Sequence, residues 1–150
     1  MWRRELWHPL LAHFPIALLT LGSLFWIGAR VFRRTCPSYL LPSARLLLGV
    51  GVASAWLSIF LGEQAESVVN RVICDPTVTQ VHHDWAWRAG IGFSAAFVMD
   101  LMIARLKLLT ALILLSSLGA LTYSAHLGAS LVYQQGAAVY HPTPECTEFE

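Results

Sequence analysis

Four long apolar stretches, separated by short polar connections, make up most of the chain. They run over about residues 10–32, 41–61, 85–104 and 108–132. A helix needs about 20 residues to cross the hydrocarbon core of a bilayer, and each stretch is long enough. Isolated strands would leave their backbone polar groups unpaired in lipid. The pattern therefore predicts four membrane-spanning helices.

The spacing of the connections places the helices at about 9–33, 41–66, 82–105 and 107–134, followed by a short outer C-terminal tail. The third stretch is the most polar, with Arg88 near its start and Asp100 near its end. Small residues recur along all four stretches and let helices approach closely in a membrane. We expect a single transmembrane domain over residues 1–150, with an all-α fold: an integral membrane four-helix bundle.

The composition supports this interpretation. The chain is 56% hydrophobic and only 13% charged, with a mean hydropathy of +0.57. Soluble domains carry about 25% charged residues. The N-terminus has no small-residue cleavage site, so we expect a retained first helix rather than a signal peptide. The expected partner is a lipid bilayer, and nothing in the sequence resembles a nucleic-acid binding surface.

Charge asymmetry predicts the orientation. Basic residues gather in the first and third connections with Asp100 as their only acidic company, whereas most acidic residues fall on the opposite side. Cytoplasmic loops of membrane proteins are enriched in Lys and Arg. We therefore expect both termini outside, in a multi-pass protein of the bacterial inner (cytoplasmic) membrane. The basic residues concerned are Arg30, Arg33, Arg34, Arg45, Arg105 and Lys107.

The cysteines fit that orientation. Cys74 and Cys146 fall on the outer side, which is oxidising in a bacterial periplasm. A Cys74–Cys146 disulfide is one hypothesis. Cys36 falls on the reducing side and is expected to stay free.

Five of the six histidines fall near the outer end of the predicted bundle: His8, His13, His82, His83 and His126. An ionisable side chain inside a bilayer is costly and suggests a functional site. His8, followed by Pro9, is placed like a helix cap, and His82 and His83 open the third helix. His13 and His126 lie about 7–10 Å inside their apolar segments, at 1.5 Å per residue.

The histidine segments also resemble a known family. Residues 8–18 read His-Pro-Leu-Leu-Ala-His-Phe-Pro-Ile-Ala-Leu, and residues 62–66, 82–84 and 128–139 agree with further segments. They are similar to the domain-of-unknown-function 2231 family of small bacterial four-helix membrane proteins, with Gln135 where that family often has His. The resemblance implies a four-helix membrane protein. It also implies a redox link, because relatives occur beside cytochrome-type domains.

The leading functional hypothesis is an electron-transfer subunit with b-type haem near the outer face. Bundle cores commonly hold haem between facing helices, and the first and third helices are diagonal in an up-and-down bundle. Haem iron takes axial histidines. His13 and His83 are the favoured pair, with His82 and His126 as alternates. Arg88, Arg3 or Arg4 is expected to pair with the propionates, since guanidinium suits carboxylates.

Two alternatives stay open. Imidazole and carboxylate side chains also bind non-haem iron, copper or zinc, and the candidate ligands are His13, His83, His126, Glu63 and Glu66. The second alternative is that the chain is a cofactor-free accessory or structural subunit of a larger membrane complex. Other membrane or periplasmic redox subunits are the expected partners. No nucleophile–base pair stands out, so such a subunit is favoured over a stand-alone enzyme.

Overall fold

The chain folds into four α-helices in a computed structural model, which describes residues 4–32, 34–103 and 105–139. A 3-10 turn, Arg4–Leu6, leads into α1 (Trp7–Val31), which is followed by α2 (Leu40–Val69), α3 (Pro76–Met102) and α4 (Lys107–Tyr133). The described residues contain no strand. The all-α class predicted from the apolar stretches is confirmed. Cys146 lies outside the described residues, and with it the predicted disulfide, and so does Arg3.

Three of the helices, α1, α2 and α4, are long and apolar enough to cross a membrane. The third helix does not reach the same apolar content, because it carries Asp84, Arg88 and Asp100. It has nevertheless the same length as α4, 27 residues. The sequence predicted that all four helices cross the membrane; three of them have the length and apolar content compatible with insertion in a lipid bilayer.

The helices run alternately up and down. α1 packs closely along α2, and α3 along α4, whereas α1 and α4 make few contacts. Between the two hairpins, the Nε1–H group of Trp56 in α2 donates to Ser94 Oγ in α3 at 3.0 Å. Because the helices alternate in direction, the starts of α1 and α3 lie at the same end of the bundle, which we call the histidine end. The opposite end is called the arginine end.

α3 begins at Pro76, earlier than the start at His82 that the sequence suggested. Asp75 caps the helix: its carboxylate accepts the Thr77 hydroxyl at 2.6 Å and the Thr77 backbone N–H at 2.9 Å. Pro76 fits the first turn, where its missing N–H costs nothing. The hydroxyl bond, reinforced by the backbone bond, holds the pKa of Asp75 below its usual range. Consequently His82 and His83 lie inside the helix rather than at its wet start.

The two hairpins, α1–α2 and α3–α4, bury equivalent positions. Buried residues of α1 recur 74 positions later in α3, and buried residues of α2 recur 66 positions later in α4. The bundle is thus built from two similar halves. The α1/α3 pairs are Pro15/Ala89, Leu19/Phe93, Gly22/Ala96 and Trp26/Asp100. The α2/α4 pairs are Ala44/Thr110, Leu48/Leu114, Gly51/Ser117, Ser58/Ser124 and Ala65/Leu131.

A charged cluster ties three helices together at the arginine end. Asp100 of α3 is only 4% exposed and accepts Arg30 Nη2 of α1 at 2.9 Å and Arg45 Nε of α2 at 2.7 Å. The Arg30 guanidinium also lies over the Trp26 ring, at 5.1 Å from its centroid. A buried carboxylate needs such partners, since an unpaired buried charge is costly. The sequence placed Asp100 at this end of the bundle but did not indicate these ion pairs.

Candidate functional site

Two half-buried histidines face each other across the histidine end. His8 is the second residue of α1, and His82 of α3 lies 74 positions later, so the two occupy equivalent places in the two hairpins. Their ring centroids are 6.0 Å apart and the rings are nearly perpendicular, at 83°. The structure therefore brings together one imidazole from each of two diagonal helices.

The same interaction orients each imidazole. His8 Nδ1 lies 2.8 Å from the Ser58 carbonyl oxygen of α2, and His82 Nδ1 lies 2.8 Å from the Ser124 carbonyl oxygen of α4. A carbonyl oxygen only accepts, so both Nδ1 atoms carry the proton and donate it. In the neutral ring the lone pair then lies on Nε2. This is the arrangement usual for metal-binding histidines, whose second nitrogen donates to an orienting acceptor.

Two glycines leave room for these rings. A Cβ atom on Gly62 would lie 3.0 Å from two atoms of the His8 ring, and one on Gly128 would lie 3.2 Å from the His82 ring. Each glycine follows its serine by four residues, Ser58 in α2 and Ser124 in α4. The sequence signal for the His8–His82 pair is thus a Ser-x-x-x-Gly pattern that recurs after 66 positions. The sequence analysis did not predict the pair from it.

A cavity of about 550 Å³ lies beside the pair and is lined by all four helices. Ligand pockets in proteins commonly measure about 300–1,000 Å³. Most of the lining is apolar, and the Thr79 side chain is 7% exposed. Its hydroxyl has no hydrogen-bond partner among the residues described. Buried hydroxyls are normally hydrogen-bonded, so this one is available to a polar atom of a ligand or to water.

His83 belongs to a different cluster on the α2–α3 side. Its Nδ1 lies 3.6 Å from Glu66 Oε2 and its Nε2 lies 3.9 Å from Glu63 Oε1. Its ring stacks on Trp87 at a centroid distance of 6.2 Å. The three polar side chains are 28–43% exposed. Ion pairs with this exposure contribute little to stability.

The remaining predicted site residues are more exposed. His13 lines the cavity, and its Nδ1 lies 2.9 Å from the Pro9 carbonyl oxygen of its own helix. His126 lies on the exposed surface of α4 and does not line the cavity. Arg88 is exposed as well, with its guanidinium 4.7 Å from the centroid of the Trp85 ring.

The ring pair in the structure therefore differs from the favoured pair of the sequence analysis. His82, an alternate there, faces His8, which the sequence suggested was only a helix cap. Within residues 4–32, 34–103 and 105–139, no three His, Cys, Asp or Glu side chains gather closely enough to hold a metal ion by themselves. The five residues proposed as non-haem ligands are accordingly not gathered at one point.

Comparison with known proteins adds no relative: no family model, no curated protein and no solved structure matches the chain. The resemblance to the domain-of-unknown-function 2231 family stays a prediction. The function is therefore argued from the geometry of the histidine end.

Proposed function

We propose that the protein is a membrane-embedded electron-transfer subunit that holds b-type haem between His8 and His82. The distance between the two rings carries this proposal. An imidazole nitrogen lies about 2 Å from a metal that it binds and its ring centroid about 1 Å further, so two axial rings hold their centroids about 6 Å apart. The observed separation of 6.0 Å is close to that distance, which supports the proposal.

The surroundings fit the same group. Haem sites in bundles are built from side chains on facing helices, as His8 and His82 are. The Ser58 and Ser124 carbonyls fix the ring orientation, and the unpartnered Thr79 hydroxyl offers a donor to a haem carboxylate. Bound haem supplies a one-electron iron couple whose potential the protein tunes through ligand identity, burial and hydrogen bonding. The chain's own residues bind, orient and shield that couple.

The spectrum of the purified full-length protein, expressed with ample haem and reduced with dithionite, tests the proposal. We expect the sharp α-band of six-coordinate haem b. His8→Ala and His82→Ala should each abolish or broaden it, because either change removes one of the two side chains that would hold the haem. The matched control is His126→Ala, which removes an exposed histidine outside the cavity and should leave the band unchanged.

A colourless wild-type protein would overturn the haem proposal. Elemental analysis would then separate the two alternatives: stoichiometric iron, copper or zinc supports a non-haem site, and no metal supports a cofactor-free accessory subunit. A haem protein that keeps its α-band in both the His8→Ala and the His82→Ala variants would overturn the choice of ligands.

We further propose that the histidine end faces the outside of the bacterial inner membrane, with both termini outside and redox subunits as partners. The basic connections at the arginine end support this orientation. Two natural cysteines test it: Cys74 at the histidine end is exposed, and Cys36 lies at the arginine end. After mild reduction of intact cells, a membrane-impermeant maleimide should label Cys74 and spare Cys36. The reverse labelling would overturn the orientation.

A further inference from the structure

Exposed charged and polar side chains line the outer surface of the α3–α4 hairpin. Asp84 and Arg88 lie one turn apart on one face of α3, and the Arg88 guanidinium is 4.7 Å from the centroid of the Trp85 ring. That ring in turn packs against Tyr123 of α4 at a centroid distance of 5.1 Å. His126 follows Tyr123 by three residues and so lies on the same side of α4. Together they form one surface, which we call the polar face: Asp84, Arg88, Tyr123 and His126.

The surface at the equivalent place on the α1–α2 hairpin is apolar. The residues at the matching positions, 74 places earlier in α1 and 66 places earlier in α2, are all apolar: Leu10, Phe14, Leu57 and Phe60. They are 48–63% exposed, on helices apolar enough to cross a membrane, and therefore suit contact with acyl chains. Two matched outer surfaces of one bundle thus require different surroundings.

The polar face lies within the bilayer when α1, α2 and α4 cross it. His126 is seven residues before the end of α4 at Tyr133. Arg88 matches Phe14, which is seven residues after the start of α1 at Trp7. At 1.5 Å per residue, both positions are about 10 Å from the helix ends. Ionisable side chains at this depth nearly always face protein or a water-filled cavity, because exposure to hydrocarbon is costly, so the polar face needs a polar neighbour.

The chain itself does not supply that neighbour in the part that the structure describes. There, neither Asp84 nor His126 has an ion-pair or hydrogen-bond partner, and the contact of the Arg88 guanidinium is the Trp85 ring. The polar face is nevertheless complementary to itself. It holds one carboxylate, one guanidinium, one imidazole and one phenol, so a second polar face offers each charged group an opposite or polar partner.

We propose that the polar face binds the polar face of a second copy of the chain, in a dimer whose two-fold axis runs along the bundle. A two-fold axis makes each contact twice, with the same patch on both copies. It also places α3 of each copy against α4 of the other, because the rotation exchanges their positions. Polar side chains that hydrogen-bond across helices stabilise such an association in membranes.

The heights of the side chains along the hairpin decide which groups meet. Trp85 and Tyr123 mark one height, since their rings are in contact. Asp84 lies one residue nearer the histidine end and His126 three residues nearer, so the two differ in height by about 3 Å. Asp84 of each copy therefore pairs with His126 of the other. The longer Arg88 side chain, three residues further from the histidine end, reaches the Tyr123 hydroxyl of the second copy.

Co-purification from membranes tests whether the neighbour is a second copy. Two full-length versions with different affinity tags are co-expressed and extracted with a styrene–maleic acid polymer, which keeps the surrounding lipid. We expect the second tag to be retained when the first is captured, and not when two separately expressed samples are mixed after extraction. Absence of the second tag, including capture of a different membrane protein in its place, would overturn the proposal.

Energy transfer in lipid vesicles measures the strength of the association. Donor and acceptor dyes are attached to Cys74, which is exposed, after the other two cysteines are replaced by serine. The test variant combines Asp84→Leu, Arg88→Phe and His126→Phe, which introduce the residue types of the matching apolar surface. We expect it to dissociate about fiftyfold more readily, because the polar contacts made twice across the axis are lost.

The matched control combines Leu10→Ala, Phe14→Ala and Phe60→Ala on the apolar surface. It changes exposed side chains at the matching places of the other hairpin, so its dissociation constant should stay within about twofold of the wild-type value. Circular dichroism should give both combined variants the wild-type helix content. Association of the test variant as tight as that of the control would overturn the assignment of the polar face.

An exchange of the two paired groups tests the contact without changing the composition of the chain. Asp84→His alone removes the carboxylate from both Asp84–His126 pairs and should weaken the association about sevenfold. Addition of His126→Asp in the same chain should restore the wild-type dissociation constant to within about twofold, since each copy again offers one carboxylate and one imidazole. A double variant as weak as Asp84→His would overturn the pairing of Asp84 with His126 across the axis.

Discussion

The α1–α2 and α3–α4 hairpins place the same residue types at the same points of the histidine end. Each hairpin contributes an imidazole, a serine carbonyl that orients it and a glycine that leaves room for it. The matched pairs are His8/His82, Ser58/Ser124 and Gly62/Gly128. A group bound from two opposite sides needs two such half-sites, and the repeated arrangement supplies them.

The hairpins differ where the bundle faces its surroundings. Counted by the same intervals, Glu66 of α2 corresponds to Val132 of α4, and Trp87 of α3 corresponds to His13 of α1. The α2–α3 side therefore carries carboxylates and an aromatic pair, whereas the α1–α4 side is more apolar and its two helices contact each other less. Equivalent positions build the ring pair, and positions that differ set the polarity of the two sides of the bundle.

The largest loss of stability is expected when Asp100 is replaced. The two hairpins differ at this position, since the equivalent residue in α1 is Trp26. Asp100→Leu leaves Arg30 and Arg45, which are 21% and 37% exposed, without their shared buried carboxylate. Removing one partner of a buried ion pair costs about 3–5 kcal/mol, and the partial exposure of Arg45 places the expected loss near 3 kcal/mol. Reversible unfolding in detergent, followed by circular dichroism, measures it.

Arg105→Ala is the control for this change, because it removes an exposed basic side chain at the same end of the bundle. It should alter the free energy of unfolding by less than about 0.5 kcal/mol, as is usual at the surface. An Asp100→Leu variant as stable as this control would show that the three-helix cluster contributes nothing to the fold.

An intermediate effect is expected at the glycines beneath the two rings. Gly62→Ala and Gly128→Ala each force a ring to move, and overpacking of this kind costs about 1–2 kcal/mol, or about tenfold in haem affinity. Gly62→Ala should be the more severe, because its Cβ would meet two His8 atoms at 3.0 Å and the closest His82 atom to Gly128 is at 3.2 Å. Titration of the haem-free variants with haem measures both affinities.

The matched control is Gly119→Ala in the middle of α4, since a Cβ there has no heavy atom within 4 Å. Helix propensity favours alanine over glycine, so this variant should bind haem normally and be slightly more stable. Equal affinities in all three alanine variants would contradict the requirement for open space beneath the rings.

The sequence predicted the four helices because each apolar run is long enough for a membrane span, and three of the helices are long and apolar enough for one in the structure. It also indicated that the histidines gather at one end. It missed the pairing for a local reason: the Asp75 cap starts α3 at Pro76, which moves His82 from the wet start of a helix to its half-buried interior. Which rings meet across a diagonal depends on helix packing, and apolar periodicity does not specify that.

The smallest effect is expected on the polar α2–α3 side. Glu66→Gln removes the closer carboxylate from His83, a contact of 3.6 Å between groups that are 28% and 33% exposed. Exposed ion pairs contribute about 0.2–1 kcal/mol, so the loss of stability should stay below about 1 kcal/mol. The α-band should be unchanged, because His82 and not His83 faces His8.

Glu63→Gln is the matched control, since its oxygen lies further from the His83 ring, at 3.9 Å, and is more exposed, at 43%. Its effect on unfolding in detergent should be smaller still. A Glu66→Gln variant that loses the α-band would make the Glu66–His83 contact part of the haem site and would break the comparison of the hairpins, because the position in α1 equivalent to His83 is Pro9, which has no ligand to offer. If the two matched half-sites are built on His8 and His82, the α-band should be unchanged in both variants.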